Sequence, residues 1–357
     1  MNKIHNYSAG PCILPQEVFE QAANSINNFN NTNLSLIEIS HRSNDFIEVM
    51  EEARSLVKEL LNIPDGYTVL FLQGGASLGF LTTAYNMMRS NKTGGYIVTG
   101  AWAKKAAKEA DFVGQKKILA SSEDANFNYI PKNYKVPSDI DYLHLTSNNT
   151  IFGTQIKEFP ASNTPLVCDM SSDIFSKKID VSSFDLIYAG AQKNMGPAGT
   201  TLYIVKDDII GKSSVSIPTM LDLKTHADKD SMFNTPPVFA IYTSMLTLKW
   251  LKGNGGLDWI ENRNNNKANL IYSEIDRNSL FNGTAEIEDR SNMNATFTLN
   301  NEAIKEQFDS MILSANINGL KGHRSVGGYR ASMYNALPLE SVQVLVDVMK
   351  ELEVKFG

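Results

Sequence analysis

Cysteine is scarce in this sequence, since only Cys12 and Cys168 occur among 357 residues. Two thiols are too few for a disulfide framework or for a metal site built from thiolates, so we expect no metal. No run of 18 apolar residues is present, and we therefore expect no membrane-spanning helix. The N-terminal segment MNKIHNY also lacks the apolar core of a signal peptide. These absences predict a cytoplasmic protein without a membrane partner.

An excess of basic residues is also missing. The chain has 33 Lys and Arg residues against 39 Asp and Glu residues, which gives a net charge of −6. Nucleic-acid-binding proteins usually carry a basic surface, so we expect no nucleic-acid partner. A hydrophobic fraction of 42% is typical of a globular protein. The length allows about two domains and a full core without disulfides.

Between residues 65 and 205, short apolar runs alternate with helical patterns. Helices are predicted at Ser77–Arg89 and Ala101–Ala110. Strands are predicted at Thr68–Leu72, Tyr96–Thr99, Lys117–Ala120, Tyr142–Thr146, Leu166–Asp169, Leu186–Ala189 and Thr201–Val205. This alternation predicts an α/β fold with a mostly parallel sheet flanked by helices.

The C-terminal third has a different pattern. A helix is predicted at Pro236–Lys252, with Thr235 as its N-cap and Pro236 in its first turn. The glycine-rich segment GNGG at 253–256 would end this helix and mark a domain boundary. The remainder predicts a smaller α+β domain that begins with a helix at Leu257–Arg277 and has strands at Asn294–Leu299 and Ser332–Tyr334.

We therefore predict three segments. Residues 1–15 form an N-terminal segment that packs on the small domain, residues 16–255 a large domain, and residues 256–357 a small C-terminal domain. Ligands of such sheets bind beyond the carboxyl ends of the strands. The motifs at those ends are therefore the first candidates for a site.

The segment QGGAS at residues 73–77 lies between a predicted strand and a predicted helix. Glycines let the backbone approach an anion, and a helix N-terminus favours phosphate. A plain tight turn is the alternative. A degenerate dinucleotide fingerprint is another, but the next strand ends in VTGAW, without the acidic residue that would hold a ribose.

Asp169 ends one predicted buried strand, and Lys193 follows another. Asp169 would face the ligand cleft, although a turn or cap role is common for such a residue. Lys193 lies in the segment GAQKNMGP, with no charged neighbour for several positions. A lysine in such a pocket can have a lowered pKa and form a Schiff base. The alternative is a lysine that extends from its loop into solvent.

Positive charge is concentrated in two short segments, SHRS at residues 40–43 and KGHRSVGGYR at residues 321–330. Glycines suggest backbone close to a ligand, and arginines suggest recognition of carboxylate or phosphate. Each segment alone could be a surface loop. A phosphate cradle, a strand-end aspartate and a strand-end lysine together are the parts of a pyridoxal 5′-phosphate site.

With these motifs, the sequence resembles the phosphoserine aminotransferase family. Its members are class V aminotransferases of fold type I that use pyridoxal phosphate. The resemblance runs end to end and rests on seven motifs in order. They are YSAGP at 7–11, SHRS at 40–43, QGGAS at 73–77, DMSS at 169–172, GAQKN at 190–194, NTPP at 234–237 and GHRSVGGYRAS at 322–332. One departure is Gln73, where many relatives have arginine.

The resemblance implies a role for each matching position. Lys193 and Asp169 would be catalytic, as the Schiff-base lysine and the partner of the pyridine nitrogen. The cofactor would also be held by Ala76, Ser77, Trp102, Thr150, Gln192, Asn234 and Thr235. Substrate would be held by Ser8, His41, Arg42, His323, Arg324 and Arg330.

The implied reaction transfers an amino group from L-glutamate to 3-phosphohydroxypyruvate. The resemblance further implies a homodimer, in which Asn234, Thr235, His41 and Arg42 serve the neighbouring subunit's site. It leaves open whether 4-phosphohydroxy-L-threonine, a precursor of vitamin B6, is a second substrate. Two other classes of protein remain as alternatives. A nicotinamide dehydrogenase is disfavoured by the missing acidic residue after the second strand. A non-catalytic anion-binding protein would need neither Asp169 nor Lys193.

Overall fold

The computed structural model describes residues 3–357. In chain order its strands are β1 (His5–Asn6), β2 (Tyr67–Leu72), β3 (Thr93–Val98), β4 (Gln115–Ser121), β5 (Tyr142–Thr146), β6 (Asn148–Asn149), β7 (Thr154–Gln155), β8 (Leu166–Asp169), β9 (Leu186–Gly190), β10 (Thr201–Lys206), β11 (Phe281–Gly283), β12 (Asn294–Leu299), β13 (Ile317–Asn318) and β14 (Tyr329–Ser332).

The α-helices alternate with these strands in the first part of the chain and flank the smaller sheet later. In chain order they are α1 (Gln16–Asn27), α2 (Asn44–Leu60), α3 (Gly75–Met87), α4 (Ala101–Glu109), α5 (Leu223–Ala227), α6 (Val238–Gly253), α7 (Gly256–Arg277), α8 (Lys305–Ser314) and α9 (Leu339–Phe356). Among residues 3–357, no helix has the length and apolar character needed to cross a membrane.

The central sheet has seven strands in the order β2-β10-β9-β8-β5-β3-β4. Only β10 runs against the others, since it pairs antiparallel with both β2 and β9. Strands such as β5 and β9 are buried along their whole length, as expected for a sheet covered on both faces. The predicted fold class is confirmed. Because β2, β3, β5, β8 and β9 share one direction, their carboxyl ends meet at the same edge.

A second, smaller sheet has the antiparallel order β11-β12-β14. Its apolar side chains form a separate core with residues of α7, α8 and α9. Strand β1 pairs in parallel with β13, and Tyr7 is buried in this second core. Helix α7 serves both cores, since Leu257 and Ile260 lie in the first and Ile271 and Ile275 in the second. The predicted division at residue 255 stays a prediction.

Several predicted elements have shifted ends in the structure, and two of these shifts have a visible physical cause. Helix α6 begins at Val238, and Pro237 is its N-cap, so neither Thr235 nor Pro236 has the predicted position. The reason is that the residue before a proline is driven out of helical conformation, which Pro237 does to Pro236.

The last predicted strand, Ser332–Tyr334, lies instead at Tyr329–Ser332. Its pairing with β12 ends where Ser332 lies opposite Asn294. Beyond that point the carbonyl oxygens of Met333 and Tyr334 accept hydrogen bonds from Nζ of the buried Lys267, each at 2.8 Å. The N–H of Met333 still donates to the carbonyl of Met293 at 2.7 Å, but at the two carbonyl oxygens a side chain takes the place of a strand partner.

Candidate active site

Asp169 lies at the end of β8, with 5% of its surface exposed. Its Oδ1 accepts hydrogen bonds from the backbone N–H and the hydroxyl of Ser171, at 2.9 and 2.6 Å. The Ser171 hydroxyl in turn accepts from the N–H of Gly190 at 3.0 Å, which ties the carboxylate to the end of β9. Burial raises the pKa of Asp169, while the nearby charge of Lys193 and the Ser171 bonds oppose this rise.

Lys193 lies in the turn that follows β9, within electrostatic range of Asp169. Burial lowers the pKa of its amine; Asp169 opposes that shift, and the positive charge of Arg330 adds to it. Its Nζ lies 5.4 Å from the centroid of the Trp102 ring. A lysine with a lowered pKa holds more of its amine in the neutral, nucleophilic form at neutral pH.

The N-terminal segment passes directly against this lysine. A Cβ atom added at Gly10 would lie 3.2 Å from Cγ of Lys193, and Gly10 has a φ of +135°. The Cys12 thiol donates a hydrogen bond to the backbone oxygen of Lys193 at 2.5 Å. Ser8, two residues before Gly10, is half-buried in the same segment. Only glycine allows this close backbone approach at position 10.

The segment QGGAS forms the tight turn between β2 and α3. Gly74 and Gly75 have φ values of 105° and 66°, and no side chain caps the first turn of the helix. The first N–H groups of this helix, including those of Ala76 and Ser77, are therefore available for an anion. A Cβ added at Gly190 would lie 3.3 Å from the Ala76 nitrogen and 3.0 Å from Oε1 of Gln192. Because Gly190 has no side chain, the backbone of Ala76 and the side chain of Gln192 can lie close to the end of β9.

Trp102, Thr150 and Arg330 are joined by two hydrogen bonds. Nε1 of Trp102 donates to Oγ1 of Thr150 at 3.3 Å, and Nη1 of Arg330 donates to the backbone oxygen of Thr150 at 3.1 Å. Burial lowers the pKa of Arg330. Arg330 therefore brings a guanidinium from the smaller sheet to the edge of the central sheet, where Lys193 lies.

His323 and Arg324 are on the glycine-rich loop just before β14. Nδ1 of His323 accepts a hydrogen bond from the N–H of Ser325 at 3.2 Å. Burial lowers the pKa of His323, and the positive charges of Arg330, Arg324 and Lys105 lower it further. Arg330, Arg324 and Lys105 thus place three positive charges near His323, and Nζ of Lys105 lies 4.4 Å from the centroid of the Trp102 ring.

The structure does not bring every predicted residue to this cluster. Among residues 3–357, no hydrogen bond or ion pair connects His41 or Arg42 with Lys193, and both lie on the segment that leads into α2. Asn234 and Thr235 are exposed, and the Thr235 backbone oxygen accepts a hydrogen bond from Nε2 of Gln73 at 2.6 Å. Their roles in a neighbouring site stay predictions.

Two residues near Lys193 had no role in the sequence-based prediction. Lys105 lies one helical turn after Trp102, and this i, i+3 spacing on α4 is the signal that could have identified it. Asn194 is buried and binds the backbone of Asn335. No local pattern distinguishes such an asparagine from a turn residue.

A cavity of about 870 Å³ lies away from the cluster, between residues 130–138 and 156–164, and none of the predicted site residues lines it. Its lining includes Lys157, whose pKa burial lowers to about 8. A lowered lysine pKa therefore does not by itself identify the active site. Among residues 3–357, only Lys193 combines one with a buried carboxylate, an uncapped helix N-terminus and an arginine.

The geometry agrees with the comparisons to known proteins. A model of the family "Aminotransferase class-V" matches residues 4–345. The chain belongs to this family. Membership makes it a pyridoxal-phosphate-dependent aminotransferase that acts on small molecules, so the predicted enzyme class and cofactor are confirmed.

Individual relatives share one description. A phosphoserine aminotransferase from Flavobacterium psychrophilum is 66% identical over 354 residues, which cover 99% of each chain. The solved phosphoserine aminotransferase of Bacillus circulans subsp. alkalophilus is 43% identical with a TM-score of 0.96, covering 99% of each chain. The pyridoxal-phosphate-bound structure from Trichomonas vaginalis is 34% identical with a TM-score of 0.92, covering 98% of this chain and all of that one. The predicted family resemblance is confirmed.

Proposed function

We propose that this aminotransferase interconverts L-glutamate and 3-phosphohydroxypyruvate with 2-oxoglutarate and O-phospho-L-serine. The observation that carries the proposal is the position of Arg330: it binds the backbone of Thr150, whose hydroxyl binds Trp102, and the Trp102 ring lies 5.4 Å from Nζ of Lys193. A guanidinium beside the reactive amine suits an α-carboxylate. The guanidinium of Arg324 and the imidazole of His323, on the loop before β14, suit a second anion on the same substrate.

The residues present fit the cofactor. The N–H groups of Ala76 and Ser77 and the side chain of Gln192 would hold its phosphate, and the buried carboxylate of Asp169 would hold its ring nitrogen. Trp102 would stack on the ring, and Thr150 would bind the ring oxygen. When bound, pyridoxal phosphate supplies an electron sink for the charge that develops on the substrate Cα.

Lys193 does the acid–base work in this proposal. Its amine accepts the proton that leaves the substrate Cα and can return it to a neighbouring carbon. The lowered pKa supports this role, because a base works best when its pKa is near the working pH. Asp169 would keep the ring nitrogen protonated, and Arg330 would hold the substrate carboxylate in place while Lys193 acts on the Cα proton.

One positively charged pocket can serve both halves of the reaction. L-glutamate and O-phospho-L-serine each have an α-carboxylate and a distal anion, which would lie against His323 and Arg324. Because both amino acids use the same pocket in turn, ping-pong kinetics are expected. The phosphorylated amino acid 4-phosphohydroxy-L-threonine has the same two anions and is the second donor to assay.

A homodimer is part of the proposal. Apolar side chains are exposed on the segments that carry His41, Arg42, Asn234 and Thr235: Leu34 at 45%, Ile37 at 61%, Met220 at 46% and Phe233 at 42%. Exposed apolar side chains of this size favour a protein partner. A second copy would cover them and could place His41 and Arg42 at the neighbouring site.

The direct test is an assay of the purified enzyme with O-phospho-L-serine and 2-oxoglutarate, in which glutamate formation is measured. L-serine, which lacks the phosphate, is the matched control donor. We expect rapid turnover with the phosphorylated donor and little with L-serine. Equal turnover of both donors would contradict the proposed substrate.

A further inference from the structure

Lys105 projects from α4 to the edge of the candidate site. It lies three residues after Trp102, and its Nζ is 4.4 Å from the centroid of that ring. A cation–π contact at an exposed position is a weak restraint, so the amine can leave the ring for a stronger partner. Trp102 itself also lies 5.4 Å from Nζ of Lys193.

The glycine-rich loop brings His323 to Lys105. Val326 of this loop and Trp102 both pack against the apolar cluster that covers one face of the central sheet. The loop and the start of α4 therefore contact the same apolar cluster. The charge of Lys105 acts on His323 together with those of Arg324 and Arg330.

The other lysines of α4 differ from Lys105 in their surroundings. Lys104 forms an ion pair with Glu123. Lys108 lies one turn further from Trp102, in the last turn of the helix. In the part of the chain that the structure describes, no acidic side chain forms an ion pair with Lys105, Arg324 or Arg330. Like charges held together without counter-charges favour the binding of an anion.

We propose that Lys105 is a specificity-determining residue that binds the distal phosphate of the substrate together with His323 and Arg324. The inference rests on the proposed function. A phosphate monoester carries a charge of about −1.5 to −2 at neutral pH. The distal carboxylate of glutamate carries only a single charge. An additional cation therefore strengthens binding of the phosphorylated substrate more than that of glutamate.

The experiment compares Lys105→Gln with Lys108→Gln, which removes the same charge from the same helix one turn further away. Both are made in the cofactor-loaded enzyme, and Lys105→Arg tests rescue by a different cation. The Michaelis constants for O-phospho-L-serine and L-glutamate are measured as amino donors. Binding of inorganic phosphate to each variant is measured by calorimetry. An ionic strength near 0.15 M limits electrostatic effects to about 8 Å.

We expect Lys105→Gln to weaken binding of O-phospho-L-serine and inorganic phosphate about five-fold, the upper range for one exposed charge pair. L-glutamate should be affected less, Lys108→Gln should resemble the wild type, and Lys105→Arg should restore binding. Equal effects of Lys105→Gln and Lys108→Gln would overturn the inference. So would equal effects of Lys105→Gln on both donors, because Lys105 would then act through the Trp102 ring.

The same measurements separate this inference from the proposed function. Failure of the wild-type enzyme to convert O-phospho-L-serine contradicts the proposed function. Conversion by the wild type with unchanged constants in Lys105→Gln contradicts only the role of Lys105.

Discussion

Asn194 and Asn335 form a hydrogen bond next to Lys193 and thereby connect the segments that follow β9 and β14. Oδ1 of Asn194 accepts from the N–H of Asn335 at 2.9 Å, and Nδ2 of Asn194 donates to the backbone oxygen of Ile174 at 2.5 Å. Both asparagines are buried. The turn that carries Lys193 is therefore held by the segment after Asp169 and by the segment after Arg330.

The substitution Asn194→Ala removes both bonds. It leaves the N–H of Asn335 and the carbonyl of Ile174 buried without their partner, so we expect unfolding to become easier by about 2 kcal/mol. Because the same bonds position Lys193, added pyridoxal phosphate should raise the melting temperature less than in the wild type. Thermal denaturation with and without cofactor measures both effects. The exposed Asn163→Ala is the control, and identical melting behaviour of the two variants would contradict the positioning role.

The substitution Asp169→Asn tests the partner of the ring nitrogen. An amide of the same shape can still accept the Ser171 bonds but cannot balance a positive charge, so we expect turnover to fall about 100-fold or more. The control is Asp173→Asn, since Asp173 is also buried but binds Ser147 and Gln155. That variant should lose stability and keep most of its turnover rate. Steady-state kinetics distinguish the two cases, and similar rates for both variants would refute the assignment.

Mixing two inactive variants tests the shared active site. If Arg42 serves the neighbouring subunit, a hybrid of Lys193→Ala and Arg42→Ala subunits has one site with both residues intact. Random exchange of subunits between dimers should then restore about a quarter of wild-type activity. Activity is measured before and after subunit exchange, and light scattering gives the oligomeric state. No recovery after verified exchange would show that Arg42 acts within its own subunit.

His144 gives the stability of the protein a pH dependence. This residue of β5 is 1% exposed, its Nε2 lies 2.8 Å from the Tyr188 hydroxyl, and burial lowers its pKa to about 3. Its pKa in the unfolded chain is about 6.5. The unfolded state therefore binds more protons below that pH, and stability falls as the pH falls from about 6.5 towards 3.

Urea unfolding of the cofactor-free protein at pH 8 and pH 5 measures this dependence. Between these values the wild type should lose about 2 kcal/mol more than His144→Gln, which keeps a polar side chain but cannot titrate. Parallel losses in the two proteins would mean that His144 is not buried in the neutral form.

The sequence predicts the sheet well because its strands are continuous apolar runs. The predicted bounds of β5, β8 and β12 agree with the structure residue for residue. Where a predicted element was misplaced, its bounds depend on contacts with residues that are distant in the sequence. Past the end of β14 the backbone carbonyls bind Lys267, a buried lysine far away in the chain, and no local pattern reports that contact.

In the candidate site, too, some residues could be predicted from local sequence and others depend on tertiary contacts. Asp169 and Lys193 could be identified because each ends a recognisable strand, and parallel strands place such ends together. The proposed role of Lys105 could not, since it depends on the loop of His323 and the start of α4 meeting at the same apolar cluster. A role for Arg42 in a neighbouring subunit lies beyond any prediction from a single chain and rests on the family resemblance.

The most direct test of the central claim is a single half-reaction. The purified, cofactor-loaded enzyme is mixed with O-phospho-L-serine in the absence of any keto acid, and the visible absorbance of the cofactor is followed with the release of 3-phosphohydroxypyruvate. The wild type should lose its absorbance band as it releases the keto acid in proportion to its active sites. Lys193→Ala should do neither, whereas Lys157→Ala, which removes another lysine of lowered pKa, should behave like the wild type. A Lys193→Ala variant with normal colour and normal product release would contradict the account.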